Sequence, residues 1–117
     1  MKIISFAWTT QALLKGKKTV TRRDWNDKYA KSFHKDDIVQ AYDKNPRSGG
    51  KKIAEIILTA EPYKQWLHDV IDEDEKREGG LWGNGKAYQE AMGEDRELWV
   101  IEFTLQEIIT PIQIMLF

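Results

Sequence analysis

The 117-residue chain is long enough for one domain with a modest core and too short for two. Hydrophobic residues make up 41% of the sequence and charged residues 32%, proportions typical of a globular protein rather than a disordered one. Because cysteine is absent, the sequence excludes a disulfide framework and thiolate metal sites.

The net charge of −1 conceals two oppositely charged halves. Residues 1–52 hold 13 of the 18 Lys/Arg and 5 of the 19 Asp/Glu, a balance of +8. Residues 53–117 hold the other 5 and 14, a balance of −9. A clustered positive surface would attract a phosphate-bearing ligand, whereas two halves that pair across the fold would neutralise each other. The sequence leaves both possibilities open.

The two most apolar segments are short. Residues 1–8 lack the hydrophobic length and the cleavage pattern of a secretory signal. Residues 108–117 contain Pro111 and fall short of the roughly 20 helical residues that span a bilayer. We therefore expect a cytoplasmic protein without a membrane partner, in which residues 108–117 either close the fold or form a contact between copies of the chain.

The first third of the chain alternates between extended and turn-forming segments. β-Branched and aromatic residues at positions 2–8 predict a strand. Residues 11–15 are helix formers that end at Gly16, a residue type that commonly terminates helices. Residues 18–23 contain two threonines and a valine and predict an extended segment, and the polar residues 24–33 predict a loop.

Two further strands are expected at residues 38–42 and 52–60, joined by a turn that contains Asn45-Pro46 and Gly49-Gly50. A hairpin is the simplest interpretation of this pattern.

The second half combines helical and extended patterns. Apolar residues at helical spacing predict a helix over residues 63–71, and a second short helix is expected over 86–92 after the glycine-rich residues 79–85. Residues 98–105 form a clear strand pattern. Several strands with two or three short helices between them indicate an α+β fold, and a small barrel is plausible because it leaves no unpaired edge.

The segment that follows the first short helix carries a recognisable motif. Its elements are a glycine, a lysine two residues later, a polar residue three beyond that and an arginine two further on: Gly16, Lys18, Thr21 and Arg23. This pattern is similar to the signature of ASCH domains, a family of the PUA-like superfamily, and the flanking strands also resemble that family over roughly residues 3–105. The resemblance implies a PUA-like small β-barrel, with residues 1–117 as a single domain and 106–117 as a possible extra segment.

One position narrows the resemblance further. Many ASCH domains have glutamate where this chain has Thr21, whereas the small bacterial members that hydrolyse N(4)-acetylcytidine have threonine. Their proposed catalytic lysine, threonine and glutamate correspond to Lys18, Thr21 and Glu78 here, with Glu75 as the alternative carboxylate. The glycine-rich residues after Glu78 and the turn at residues 43–51 depart from the smallest family members.

Hydrolysis of an exocyclic amide requires a nucleophile, a group that takes its proton and a donor for the leaving amine. Thr21 can be the nucleophile if Lys18 is its base, which requires a lysine pKa lowered by burial and by neighbouring cations. In a regular strand, residues three apart face opposite sides, so this site requires Lys18 to lie in the turn after Gly16 or in a bulge. Alternatively, Lys18 is a solvated residue near a helix end and Thr21 an ordinary strand residue.

Other residues near the motif are candidates for binding the substrate or RNA. They are Arg23, Arg22, Trp25 and Lys17. We expect Arg23 to form a structural salt bridge or to hold a phosphate rather than to take part in chemistry. Trp25 and Trp8 are able to stack a nucleobase, although most tryptophans are core residues.

Three other patterns carry no function in this interpretation. Residues 80–86 match the spacing of a phosphate-binding loop, but Ala87 replaces the required Ser or Thr and no apolar strand precedes them. His34 and His68 lack a second ligand at metal spacing, so no metal or cofactor is expected. The acidic residues 69–78 are expected to form a solvated face.

Two main functions therefore follow from the sequence, and a third, an interaction domain that uses the apolar C-terminal segment, stays open. The first is an amidohydrolase that removes an acyl group from a modified pyrimidine nucleoside such as N(4)-acetylcytidine. The second is an RNA-binding module, with possible ribonuclease activity, that uses the same basic cleft.

Overall fold

The computed structural model describes residues 2–109, which form an α+β fold around a curled half-barrel sheet. The strands are β1 (Ile3–Ser5), β2 (Val20–Arg23), β3 (Ile38–Tyr42), β4 (Lys52–Leu58), β5 (Tyr63–Trp66) and β6 (Glu97–Ile108). The helices are α1 (Thr10–Leu14), α2 (Asp27–Ala30), α3 (Asp72–Arg77) and α4 (Gly85–Met92). Single turns of 3₁₀ helix occur at Ala7–Thr9, Pro46–Ser48 and Leu67–Asp69. The expected small α+β barrel is confirmed, with four short α-helices instead of two or three.

The long strand β6 organises the sheet. The strand order is β1-β3-β4-β6-β2, and β5 pairs with the first part of β6. β1 runs parallel to β3, and the other pairs are antiparallel. β1 and β2 therefore lie at the two ends of the curled sheet, so a side chain that bridges them spans the opening of the half-barrel.

The sheet encloses the main apolar core. Its largest fully buried side chains include Phe33, Phe103, Ile4, Leu13 and Ile56. A second, smaller cluster joins α4 to its neighbours. Tyr88 of α4 packs with Leu67, Val70 and Leu98, and Trp82 and Met92 pack against this cluster. The smaller cluster fixes α4 against the start of β6.

Two local predictions were wrong. Residues 63–71 form β5 and a 3₁₀ turn instead of a helix, because pairing with β6 satisfies their backbone groups and outweighs the helical periodicity. The segment 24–33 contains α2, whose start is capped by Asn26 accepting a hydrogen bond from the amide of Tyr29 at 2.8 Å.

The final strand extends beyond the predicted residues 98–105 and ends at Ile108. Most of the segment 106–117, with its expected contact between copies of the chain, lies outside the described residues.

A close backbone approach makes Gly85 a sensitive position. A Cβ at Gly85 would lie 2.6 Å from the main-chain carbon of Ile71 and 2.8 Å from the carbonyl oxygen of Val70. We expect Gly85→Ala to lower the free energy of unfolding by about 2–4 kcal/mol, as steric conflict with backbone does. Ala91→Gly, at an exposed position of α4, is the control and should cost only about 1 kcal/mol. Urea unfolding followed by far-UV circular dichroism measures both, and equal losses would contradict the packing described.

Candidate functional site

A pocket of about 220 Å³ opens where β1 and β2 approach each other. Its polar wall consists of Ser5, Lys18, Thr21, Arg22, Arg23 and Glu78. Its apolar wall includes Phe6, Trp8, Trp82, Tyr88 and Met92. The structure thus brings the motif lysine, threonine and arginine together with the glutamate that lies 60 residues after the lysine.

The turn after α1 places Lys18 in this pocket. The amides of Lys17 and Lys18 both donate to the carbonyl of Ala12, at 3.0 and 3.2 Å, and β2 begins only at Val20. Lys18 therefore precedes the regular strand, which removes the geometric objection to a site shared with Thr21. Lys18 and Thr21 are each only 3% exposed.

Glu78 connects the two cations at the base of the pocket. Its Oε1 accepts from Lys18 Nζ at 2.6 Å, and its Oε2 accepts from Arg22 Nη1 at 2.8 Å. Lys18 Nζ also donates to the main-chain carbonyl of Glu78 at 3.2 Å. Glu78 follows α3 directly, so the position of this helix sets the position of the carboxylate.

Arg22 is fully engaged by its neighbours. It forms an ion pair with Asp74 at 3.3 Å, and its Nε and Nη2 donate to Gln65 Oε1 at 3.0 and 2.8 Å. Its side chain is buried. Arg22 therefore supports Glu78 within the wall of the pocket and does not project toward solvent.

The alternative carboxylate, Glu75, has a different task. It is buried, and its Oε2 accepts a hydrogen bond from the amide of Trp82 at 3.0 Å. This bond holds the glycine-rich segment against α3. The expectation that residues 69–78 form a solvated face is therefore wrong for Glu75 and Glu78, because both carboxylates have partners inside the protein.

Burial lowers the pKa of Lys18 below the usual lysine value, although the attraction of Glu78 opposes this effect. The positive charges of Arg23 and Arg22 lower the pKa further. A lysine with a lowered pKa loses its proton more readily near neutral pH, which is the property a general base requires.

Arg23 holds the hydroxyl of Thr21. Its Nε donates to Thr21 Oγ1 at 3.0 Å, and its Nη2 donates to the carbonyl of Ser5 at 2.6 Å. The guanidinium therefore bridges the end strands β1 and β2. Since Thr21 Oγ1 accepts from Arg23, its own proton is free to point toward another acceptor. The salt bridge expected for Arg23 is not formed within residues 2–109.

Aromatic rings form the opposite wall. Trp8 meets Trp82 edge to face at 5.1 Å, and Trp82 meets Tyr88 in the same manner at 4.7 Å. Trp8 is 65% exposed and lies at the mouth of the pocket. Burial and the nearby negative charge of Glu78 raise the pKa of Tyr88, so its phenol stays protonated at neutral pH.

Two predicted binding residues lie outside the pocket. Trp25 stacks on Phe33 at 4.8 Å and meets Tyr29 edge to face, so it belongs to an aromatic cluster beside the main core. Lys17 is exposed and does not line the pocket.

Sequence reasoning named Trp8 of the aromatic wall but missed Trp82, Tyr88 and the role of Gln65. The local signal for Trp82 was present, because the residue stands within the glycine-rich segment 80–86, but that segment was judged only as a phosphate-binding loop. Nothing in the local sequence indicates that Gln65 faces Arg22.

The two histidines lie in exposed polar contacts. His34 Nδ1 is 2.9 Å from Glu61, and His68 Nδ1 is 2.8 Å from Asp95. Residues 2–109 contain no group of three or more His, Cys, Asp and Glu side chains arranged to hold a metal ion. No helix in the same part of the chain has the length and apolar character needed to cross a bilayer.

The fold is known from another protein. The chain is similar to the crystal structure of protein EF3133 from Enterococcus faecalis V583, a DUF984 protein. The match has a TM-score of 0.66 at 14% identity and covers 93% of this chain and 82% of that protein. At this identity the likeness establishes the fold alone. No protein-family model and no curated protein matches the chain.

Removal of Glu78 should destabilise the protein strongly. Glu78→Ala leaves the buried charge of Arg22, and the buried amine of Lys18, without their shared carboxylate, and loss of one partner of a buried pair costs about 3–5 kcal/mol. Glu55→Ala is the matched control, because it breaks a Lys–Glu pair of 2.7 Å that is only partly buried and should cost less than about 1 kcal/mol. Chemical denaturation at neutral pH measures both values. Similar losses in the free energy of unfolding for the two variants would show that the buried contacts of Glu78 stabilise the protein no more than the partly buried pair of Glu55 does.

Proposed function

We propose that the protein is an amidohydrolase that removes the acyl group from the exocyclic amine of a modified pyrimidine nucleoside such as N(4)-acetylcytidine. The observation that carries the proposal is that the buried Lys18–Glu78 pair and Thr21 line one pocket. The similarity of Gly16, Lys18, Thr21 and Arg23 to the ASCH signature supports the same assignment.

The mechanism uses the uncharged form of Lys18, and its two hydrogen bonds remain satisfied in that form. A neutral amine has two protons and one lone pair, and Lys18 Nζ donates two hydrogen bonds, to the side chain and to the carbonyl of Glu78. In that state the lone pair is left for a third partner. Glu78 thus orients the amine, while burial favours its uncharged form.

The reaction then proceeds by two acyl transfers. Thr21 Oγ attacks the acyl carbon while its proton passes to Lys18 Nζ, and a C–O bond forms as the carbonyl π bond opens. The C–N bond breaks next, and Lys18 returns the proton to the leaving amine. Water repeats the sequence on the threonine ester and releases the carboxylic acid, so the net reaction is amide plus water to amine plus acid.

The pocket has the size and lining for a single nucleoside. Its volume of about 220 Å³ lies below the roughly 300–1,000 Å³ typical of sites for drug-sized ligands, so it suits a base with a small acyl group. Trp8 and Trp82 offer aromatic surface to a planar base.

Hydrolysis of N(4)-acetylcytidine tests the proposal directly. We expect wild type to release cytidine, and Thr21→Ala and Lys18→Met each to lose about a hundredfold or more in kcat/KM, because one removes the nucleophile and the other its base. Chromatography quantifies the cytidine released.

Thr19→Ala is the matched control for this assay. Thr19 is partly buried and, like Thr21, accepts a hydrogen bond from an arginine, here Arg77, but it does not line the pocket. We expect its kcat/KM to stay within about threefold of wild type. A folded wild type that produces no cytidine would refute the assignment of this substrate.

The pH dependence of kcat/KM should report Lys18. If Lys18 is the base, activity declines as pH falls through its pKa, because the protonated amine accepts no proton. The negative charge of Glu78 raises that pKa, so Glu78→Gln should lower it and move the acidic limb to lower pH. Glu55→Gln, which changes a remote Lys–Glu pair, should leave the limb in place. A limb unmoved in Glu78→Gln would exclude Lys18 as the titrating base.

A second candidate is an RNA-binding module, with possible ribonuclease activity, that uses the same pocket. The exposed Trp8 at the mouth favours it, because an exposed indole can stack a base of a longer strand. RNA affinity that falls steeply with salt would support this candidate, whereas nucleoside hydrolysis should depend little on salt.

A further inference from the structure

We propose that Arg23 is a further catalytic residue, which holds the acyl oxygen of the substrate and the negative charge that forms on it. This inference rests on the proposed function, since it assigns a role within the same acyl transfer. It changes the role expected for Arg23 from phosphate binding or a structural salt bridge to stabilisation of the reacting oxygen.

The position of Arg23 is fixed by two hydrogen bonds. Nε lies 3.0 Å from Thr21 Oγ1, the proposed nucleophile, and Nη2 lies 2.6 Å from the carbonyl of Ser5. The guanidinium is planar and rigid, so these bonds also fix its orientation. A donor held in place before the reaction stabilises developing charge more effectively than one that must first reorganise.

Arg23 forms no ion pair with a carboxylate among residues 2–109; burial lowers its pKa, and the nearby negative charge of Glu78 opposes that effect only through space. Arg22, Arg77 and Arg96 each form an ion pair, whereas Arg23 forms none with the described residues. Its Nη1 also makes no hydrogen bond to residues 2–109. Arg23 lines the pocket, so its guanidinium group is adjacent to the space where a substrate would bind.

The chemistry of attack brings the acyl oxygen to Arg23. When Thr21 Oγ bonds to the acyl carbon, the carbonyl π electrons move onto the acyl oxygen, which becomes an oxyanion attached to the same carbon. Thr21 Oγ has then become an ether-type oxygen and is a weaker acceptor. The N–H groups of Arg23 therefore transfer their interaction from Thr21 Oγ to the adjacent oxyanion, and the interaction is strongest in the transition state.

A purely structural role makes a different prediction. If Arg23 served only to bridge β1 and β2, its removal would lower activity by changing the shape of the pocket, and would therefore change KM as well as kcat. The chain contains a matched control, because Arg77 Nε donates to Thr19 Oγ1 at 3.3 Å and Arg77 Nη2 pairs with Glu102 at 2.9 Å, outside the pocket.

The test compares steady-state hydrolysis of N(4)-acetylcytidine by wild type, Arg23→Ala, Arg23→Lys and Arg77→Ala, after thermal unfolding has established that each is folded. We expect Arg23→Ala to lose about a hundredfold or more in kcat, as removal of an oxyanion donor does, with KM within about threefold. Arg23→Lys keeps the positive charge but lacks the planar set of N–H donors of a guanidinium, and should still lose at least about tenfold in kcat. Arg77→Ala should stay within about threefold in kcat.

Added guanidinium ion provides a second readout. Millimolar guanidinium should restore part of the kcat of Arg23→Ala in a saturable manner and should not affect Arg77→Ala. If wild type hydrolyses the substrate and folded Arg23→Ala keeps its kcat, the role of Arg23 is refuted and the proposed function stands.

If wild type does not hydrolyse the substrate, binding decides the role of Arg23 separately. The change in intrinsic tryptophan fluorescence on titration, to which Trp8 and Trp82 of the pocket contribute, reports the Kd of N(4)-acetylcytidine and of cytidine. Tighter binding of the acylated nucleoside by about tenfold in wild type, lost in Arg23→Ala, would keep Arg23 as the residue that contacts the acyl oxygen. Equal binding of the two ligands, or a preference unaffected by Arg23→Ala, would refute it.

Discussion

The shared carboxylate of Glu78 is the interaction on which the pocket depends. Burial of an ion is costly unless excellent geometry and further hydrogen bonds repay the loss of water. Glu78 meets this condition with Lys18 on one oxygen and Arg22 on the other. Because Arg22 is in turn held by Gln65 and Asp74, one carboxylate links the start of β2 with β5 and α3.

The same contacts explain how the two charged halves of the chain come together. Lys18 and Arg22, from the basic half, meet Glu78 and Asp74, from the acidic half, so neutralisation across the fold prevails in the interior. Arg23 is the exception in the pocket, because it has hydrogen bonds to neutral oxygens and no carboxylate partner among residues 2–109. Arg23 therefore contributes to the pocket lining a positive charge that no ion pair engages.

The sequence predicted the elements that depend on local chemistry and missed those that depend on pairing between distant segments. The barrel class follows from the strand patterns. The resemblance to the ASCH signature implied that Lys18 and Thr21 share one site, whereas their spacing allowed this only if Lys18 lay in the turn after Gly16 or in a bulge. The strand β5 was mistaken for a helix because its partner, β6, lies more than 30 residues away. Trp82 was missed because its position depends on a hydrogen bond from its amide to the buried carboxylate of Glu75, and a pattern of apolar residues in the sequence does not predict such a contact.

Two threonine–arginine pairs show why local chemistry alone does not assign a role. Thr21 with Arg23 and Thr19 with Arg77 have the same donor, acceptor and kind of contact. The difference lies in the counter-charge: Arg77 is bound by Glu102, whereas Arg23 faces the pocket. A neutralised guanidinium stabilises the fold, and one without a carboxylate retains the electrostatic capacity to stabilise an anion. The placement of acidic residues, more than the motif itself, therefore separates a structural arginine from one able to act on a substrate.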